Sequence, residues 1–320
     1  MRRMLTLAAG LAALWLCGGV AFAGEQISGD LIVFHAGSLS VPVAEITAAF
    51  NKEYPEVRVL TEAAGSRECA RKISDLERPC DILAASDYVV IDTLLIPKYA
   101  DWNIKFAGNE MTIVYGEGSK HADEITASNW YEILLRDNVA FGRADPNSDP
   151  CGYRSVLTMK LAEDFYKQPG LADRLLKKDL RYMRPKETDL LALLEVKAID
   201  YIFLYRSVAN QHGLKWVTLP NEINLKDPKC AERYRTATVE LTGDRPGAVV
   251  TQRGEPMVYG ITIPKNAPNP KAALAFVAFL LEQDKGMAIM EKNGQPSVVP
   301  SVAEAYDKIP DALKKYAIRP

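Results

Sequence analysis

The chain has 320 residues, of which 48% are hydrophobic and 25% charged, with a formal net charge of −2. This slightly acidic balance, without a polybasic block, argues against nucleic acid and anionic membranes as partners. A chain of this length can bury two hydrophobic cores.

The N-terminus has the pattern of a secretory signal peptide, predicted as residues 1–23. Arg2 and Arg3 precede an apolar run over 5–20, and Ala21-Phe22-Ala23 forms a small-residue cleavage site. A transmembrane anchor is the competing interpretation, but the run is short. Cys17 leaves lipidation open as an alternative, which the large residue before it disfavours. We therefore predict a protein exported to the periplasm.

Strands and helices then alternate in the first part of the mature chain. Strands are predicted at 31–34, 57–60 and 81–85, and helices at 42–50 and 67–76. This β-α-β-α-β order predicts a parallel sheet with right-handed crossovers.

A second α/β unit follows, with strands at 139–142, 180–183 and 201–204 and helices at 152–167, 170–177 and 188–196. Two further strands, at 111–115 and 257–263, flank this unit and could pass between two lobes. We therefore predict an α/β protein of two lobes, the first built from 24–115 plus 257–320 and the second from 116–256. A cleft between such lobes is a natural ligand site, because strand C-termini and helix N-termini converge there.

Two loops of the first lobe share one design. Ala36-Gly37-Ser38 and Ala64-Gly65-Ser66 each follow a strand and precede a helix. Glycine allows a close backbone approach, and serine offers both an N–H and an O–H donor. Either serine alone is adequately explained as a helix N-cap. Their equivalent positions favour a shared contact with an anion.

The second lobe offers the stretch Asp149-Pro150-Cys151-Gly152, where an amphipathic helix begins. Backbone N–H groups at a helix start attract anions, yet Asp149 should repel one unless it ligates an atom inside the anion. Glu187 also precedes a helix, where an acid favours the helix dipole, and Tyr205 ends a strand at the edge of the core. Taken singly, each of these residues has a structural explanation.

The cysteines leave several arrangements open. Cys69, Cys80, Cys151 and Cys230 remain after cleavage, and an oxidising compartment permits disulfides. Four cysteines allow three complete pairings, and the sequence does not choose among them. Zinc is disfavoured because the three histidines are scattered.

Together these residues make a pattern that resembles the periplasmic tungstate/molybdate-binding proteins of ABC importers, in the branch with extra carboxylate ligands. The resemblance covers nearly the whole mature chain. It includes His35-Ala36-Gly37-Ser38-Leu39, Gly65-Ser66-Arg67-Glu68, Pro97-Lys98-Tyr99-Ala100-Asp101-Trp102-Asn103, Asp149-Pro150-Cys151-Gly152-Tyr153-Arg154, Arg184-Pro185-Lys186-Glu187-Thr188-Asp189, Gln211-His212-Gly213-Leu214, Leu219-Pro220-Asn221-Glu222-Ile223-Asn224-Leu225 and Val258-Tyr259-Gly260-Ile261-Thr262.

The resemblance implies a periplasmic-binding-protein fold of type II and a role for each candidate residue. Four groups would donate hydrogen bonds to the oxyanion: Ser38, Ser66, the Cys151 amide and the Tyr205 hydroxyl. Asp149 and Glu187 would each place an oxygen on the metal and expand it to six-coordinate. A permease with its ATPase is the implied partner; we expect a monomer without a cofactor.

Two departures from the family pattern are visible. The connection between the 149–154 and 184–189 blocks is shorter than in some relatives, which could alter how Glu187 is presented. Cys69 and Cys80 stand where relatives have alanine, away from the implied ligands.

Three alternatives remain open at this level. The ligand could be sulfate, phosphate or a small carboxylate, with Asp149 and Glu187 turned away from it. The chain could be a secreted hydrolase using that acid pair, although no catalytic serine or metalloprotease motif is present. Tungstate and molybdate are themselves too similar in size and charge to be ranked.

Overall fold

The computed structural model describes residues 27–178, 180–243 and 247–320. The predicted signal peptide, including Cys17, lies outside the described residues. No helix in the described ranges combines the length and the apolar character needed to cross a membrane.

The strands, in chain order, are β1 (Gly29–Ala36), β2 (Val57–Ala64), β3 (Ile82–Ala85), β4 (Ile104–Gly108), β5 (Met111–Tyr115), β6 (Phe141–Ala144), β7 (Met183–Arg184), β8 (Tyr201–Tyr205), β9 (Lys215–Thr218), β10 (Thr238–Thr242), β11 (Val249–Arg253), β12 (Val258–Thr262), β13 (Ser301–Val302) and β14 (Ala317–Ile318). The helices are α1 (Ser40–Glu53), α2 (Ser66–Ser74), α3 (Tyr88–Leu94), α4 (Trp130–Leu134), α5 (Pro150–Phe165), α6 (Leu171–Lys177), α7 (Asp189–Glu195), α8 (Arg206–Gln211), α9 (Ala231–Tyr234), α10 (Pro270–Leu281) and α11 (Gly286–Lys292).

Two five-stranded mixed sheets organise the molecule, and helices pack around each. The first sheet has the order β2-β1-β3-β12-β4, and the second has the order β7-β6-β8-β5-β9. β1 pairs in parallel with both β2 and β3, as the alternating pattern predicted. We call the parts built around these sheets the first and second lobes.

The second lobe begins earlier than the sequence indicated. β5, which was assigned to the first lobe, pairs antiparallel with β8 and β9 of the second sheet. The predicted boundary after Tyr115 is therefore wrong at this strand, and the first crossing falls at Asn109-Glu110. β12 pairs with β3 and β4 in the first sheet, so the other crossing falls just before Val258. An apolar strand carries no signal that tells which of two sheets it joins.

Each lobe has its own hydrophobic core. In the first lobe, apolar side chains of β1 pack against those of α1 and α10, with Phe50 against Phe276 at a ring-centroid distance of 5.0 Å. In the second lobe, Trp130 packs edge-on against Phe203 of the central strand β8. The antiparallel hairpin β10–β11 extends from the second lobe.

Strand register places the loops of interest side by side. Ala36 at the end of β1 is opposite Ala64 at the end of β2, so the two Gly-Ser loops leave the first sheet together. Ala144 of β6 is likewise opposite Arg184 of β7 in the second sheet. The carboxyl ends of the parallel strands therefore present both pairs of loops toward the interlobe cleft.

Candidate functional site

The interlobe cleft brings the six predicted residues together in one buried region, where the hydrogen bonds of the described residues form two networks. The exposed fraction is at most 1% for every member: Ser38, Ser66, Asp149, Cys151, Glu187 and Tyr205. Buried polar groups need partners, so the hydrogen bonds among them decide what the cluster can bind.

The carboxylate of Glu187 crosses from the second lobe to the first. Its Oε1 accepts a hydrogen bond from the Ser38 amide at 2.5 Å. Its Oε2 is buried and has no hydrogen-bond partner within the described residues. A Cβ at Gly37 would lie 2.7 Å from that Oε2, so only glycine lets the loop approach the carboxylate this closely.

Asp149 acts as the N-cap of α5, which begins at Pro150, two residues before the predicted start. Its Oδ1 accepts from the Cys151 amide at 2.7 Å, and its Oδ2 accepts from the Glu187 amide at 3.0 Å. The Cys151 N–H is therefore engaged by this carboxylate rather than bare. Burial, and then the charge of Glu187, raise the pKa of Asp149 well above its ordinary value.

The Ser38 hydroxyl is oriented by Tyr259, a residue for which the sequence predicts no role. Tyr259 accepts hydrogen bonds from Asn109 Nδ2 at 2.8 Å and Gln295 Nε2 at 3.4 Å. These amides are oriented as donors, since Asn109 Oδ1 accepts from the Glu110 amide and Gln295 Nε2 also donates to the Ser38 carbonyl. The Tyr259 proton is thus left to donate to Ser38 Oγ, at 3.0 Å, which frees the serine proton for another acceptor.

Ser66 lies at the first turn of α2 and shares its hydroxyl with Ser86 in the loop after β3. Its Oγ accepts from the Ser86 amide at 3.0 Å and lies 3.2 Å from Ser86 Oγ. The carbonyl of Ser86 accepts from Arg154 Nη1, which also donates to the Tyr205 hydroxyl at 3.0 Å. Ser66 is therefore linked to Tyr205 through a buried arginine.

The loops of the two lobes are in direct contact around this cluster. The Glu68 amide donates to the carbonyl of Ser148 at 3.2 Å, and a Cβ at Gly65 would lie 2.3 Å from that same oxygen. Arg67 Nη2 donates to the Thr242 carbonyl at the hairpin tip at 2.5 Å. The described arrangement is thus a closed one.

The four cysteines of the mature chain are free thiols in this arrangement. Cys151 Sγ donates to the Phe203 carbonyl, and burial raises its pKa well above the ordinary value. Burial likewise raises the pKa of Cys69 to about 12. These groups are packed as small apolar residues rather than presented as nucleophiles.

Sequence reasoning predicts no role for Arg154 or Tyr259, although both residues lie within the family motifs. Arg154 lies three residues after Cys151 on a helix that is buried over most of its length. A charged residue on such a helix was the available signal, because ionised side chains are rarely buried without a partner. Tyr259 offered no comparable signal, since a buried strand tyrosine is ordinary.

Comparisons with known proteins identify the family of the chain. A family model described as bacterial extracellular solute-binding protein matches residues 31–295. The chain is 51% identical over 299 residues to an uncharacterized solute-binding protein of Petrotoga mobilis, covering 93% of each chain. It is 43% identical over 340 residues to the molybdate/tungstate-binding protein WtpA of Pyrococcus abyssi, covering 96% of each.

Solved structures support the fold. The periplasmic molybdate-binding protein of Azotobacter vinelandii matches with a TM-score of 0.60 at 14% identity, covering 83% of this chain and 98% of that one. The sulfate-binding protein SubI of Mycobacterium tuberculosis matches with a TM-score of 0.61 at 16% identity, covering 84% and 87%. At such identities the likeness establishes the two-lobed architecture alone.

Proposed function

Because the chain belongs to the family of bacterial extracellular solute-binding proteins, we propose that it captures tungstate or molybdate in the interlobe cleft. The family places it outside the cytoplasm and gives it a transport role with a permease as partner. Export by removal of residues 1–23, a monomeric state and an ATPase-driven permease are parts of this proposal. No catalytic residue and no resident cofactor are assigned.

One observation carries the choice of ligand: a buried carboxylate oxygen, Glu187 Oε2, without a partner among the described residues. An unpaired buried oxygen of this kind is costly, so a bound species that bonds to it would recover that free energy. Glu187 is also held beside Asp149, whose carboxylate accepts from the Glu187 amide at 3.0 Å. Two acids at an anion site need a chemical reason.

A hard, high-valent metal centre supplies that reason. Two unit charges about 4 Å apart repel by about 4 kcal/mol at an effective dielectric of 20, so two carboxylates should reject a plain dianion. Mo(VI) and W(VI) can add oxygen ligands, and hard centres prefer oxygen. Asp149 and Glu187 would then ligate the metal and at the same time disfavour sulfate, which has no open coordination position.

The remaining groups suit the oxo atoms. Ser38 has a hydroxyl proton left over after accepting from Tyr259, and Tyr205 has one left over after accepting from Arg154. Hydrogen bonds to charged acceptors contribute about 1.5–3 kcal/mol each, so a few such donors can support tight binding. The Cys151 amide would be shared between the Asp149 carboxylate and an oxo group.

Hydrogen phosphate is the second candidate, favoured by the same unpaired oxygen. A protonated phosphate could donate its hydrogen to Glu187 Oε2, which would satisfy that oxygen without metal ligation. Hydrogen phosphate carries a proton to donate to Glu187 Oε2, whereas tungstate and molybdate do not. Direct competition between these anions for the site separates the two candidates.

Thermal unfolding and calorimetry with four anions test the proposal. Tungstate and molybdate at 100 times Kd should stabilise the protein by about 2.7 kcal/mol, whereas sulfate and phosphate at equal concentration should have little effect. An equal shift with phosphate would transfer the assignment to the second candidate. Elemental analysis after growth with both metals then ranks tungstate against molybdate.

A further inference from the structure

A buried guanidinium joins the anion site to the surface where the lobes meet. Arg154 lies on α5 three residues after Cys151 and is 3% exposed. Its Nη1 donates to the Ser86 carbonyl at 2.7 Å and to the Tyr205 hydroxyl at 3.0 Å. Its Nη2 lies 3.2 Å from Asp87 Oδ2.

The direction of the hydrogen bond to Tyr205 follows from the chemistry of the two groups. A guanidinium has donors and no acceptor, so the phenol oxygen must accept. Burial raises the pKa of Tyr205 well above its ordinary value, so the hydroxyl keeps its own proton. Within the described residues that proton has no acceptor, because the Tyr205 oxygen is bonded to Arg154 alone. The buried O–H is therefore left to donate to a ligand in the cleft.

Some of the contacts of the same guanidinium depend on whether the two lobes are closed. Arg154 and Tyr205 belong to the second lobe, whereas Ser86 and Asp87 belong to the first. Its bonds to Ser86 and Asp87 can form only when the lobes meet, whereas its bond to Tyr205 lies within the second lobe. Its planar fork of donors can satisfy several acceptors at once, which a lysine ammonium at one point cannot do in the same way.

A purely structural ion pair would not need the contact with Tyr205. Asp87 already accepts a hydrogen bond from the Tyr153 hydroxyl and caps α3 by accepting from the Val89 amide. The carboxylate thus has other partners, while Arg154 is the group that connects it to the anion site. The guanidinium carbon also lies 5.7 Å from the centroid of the Tyr205 ring, within the range of a cation–π contact.

We propose that Arg154 is a positioning residue for anion capture, which holds the Tyr205 hydroxyl as a donor and is itself fixed by Ser86 and Asp87 of the first lobe in the closed arrangement. The inference rests on the proposed function, since it assigns the Tyr205 proton to an oxo group of the bound anion. Arg154 itself acts through Tyr205 and not by contact with the ligand.

A double-mutant cycle on the mature chain tests this, with tungstate affinity measured by calorimetry. Arg154→Lys keeps the positive charge and the pairing with Asp87 but cannot maintain the Tyr205 contact as well. It should weaken tungstate binding about tenfold in the wild-type background and at most about twofold when Tyr205→Phe is already present, because contacting residues couple. Equal losses in the two backgrounds, or no loss in the wild type, would overturn the inference.

The matched control is Tyr153→Phe, which removes another buried hydrogen bond to Asp87 but leaves Arg154 and Tyr205 in place. It should weaken binding by less than about twofold and equally in both backgrounds. A coupling to Tyr205→Phe as large as that of Arg154→Lys would show that any interlobe bond has this effect, which would also overturn the inference.

Two further results keep the outcomes distinct. Should Arg154→Lys fail to fold, the cycle is repeated with Arg154→Met in an Asp87→Asn background, where no buried charge is left unpaired. A wild-type protein that binds neither tungstate nor molybdate refutes the proposed function and this inference with it. Binding by the wild type with an additive cycle refutes the role of Arg154 alone.

Discussion

Replacing Glu187 by glutamine separates metal ligation from simple proximity. The substitution preserves the side-chain volume and the Oε1 that accepts from the Ser38 amide at 2.5 Å. It replaces the unpaired Oε2 by an uncharged amide nitrogen, which cannot ligate a metal. The shape of the side chain is therefore kept, while its negative charge and the oxygen on which the proposed function depends are removed.

The sign of the effect is informative. If Glu187 merely lies near the anion, removing its negative charge should strengthen tungstate binding, because like charges repel. If Oε2 bonds to the metal, binding should weaken. Taking a hydrogen bond to a charged group, about 1.5–3 kcal/mol, as a lower bound for the lost metal bond, the affinity should fall by at least about 10- to 150-fold.

Calorimetry on the purified mature chain gives the affinity, and thermal unfolding without added anion checks the fold. Glu187 is one of the causes of the raised pKa of Asp149, so the variant should be at least as stable as the wild type at neutral pH. Asp189→Asn is the matched control: it makes the same change in net charge two residues further on, at the start of α7, where a half-exposed carboxylate is paired with Lys186. Unchanged or tighter tungstate binding by Glu187→Gln, or an equal loss in the control, would refute the ligation argument.

Three other predictions concern pH, lobe closure and thiols. The pKa of Asp149 is raised in the folded protein, so metal ligation must displace a proton wherever this acid is protonated. Tungstate affinity should therefore rise with pH, and binding should release protons. Calorimetry in buffers of different ionisation enthalpy measures this release, and proton uptake would contradict the prediction. Gly65→Ala should leave the fold intact but lower tungstate affinity more than about tenfold, because its Cβ would lie 2.3 Å from the Ser148 carbonyl oxygen in the closed arrangement. Small-angle scattering of this variant should show no compaction with tungstate. Normal compaction would contradict the close approach of Gly65 to Ser148. A thiol reagent should modify Cys230 rapidly in the native protein while Cys151 reacts only after unfolding, and rapid loss of both thiols would show that the buried arrangement is wrong.

Much of the fold could be predicted from local pattern. Alternating apolar strands and amphipathic helices predicted the parallel pairing of β1 with β2 and β3, which the sheet confirms. The two Gly-Ser loops could be placed side by side because parallel strands end at the same edge of a sheet. The strand predicted at 180–183 was only partly correct, since residues Leu180–Tyr182 form a turn of 3-10 helix before the short β7.

The membership of a strand in one sheet or the other could not be predicted in the same way. β5 has the composition of any buried strand, and its pairing with β8 and β9 depends on where the chain crosses between lobes. The start of α5 was also misplaced by two residues, since proline at a first helical position was not used as the start signal.

The sequence by itself determined the chemical character of the site: hydroxyl and amide donors after strands, and two acids that make sense only together. Which hydrogen of each donor is free was decided by tertiary structure alone. Tyr259 and Arg154 come from positions 221 and 51 residues away from Ser38 and Tyr205, and each occupies the oxygen of the hydroxyl that it contacts. A proton's direction depends on every acceptor and donor around it, and contacts between residues far apart in the chain set that environment, so no local pattern can encode it.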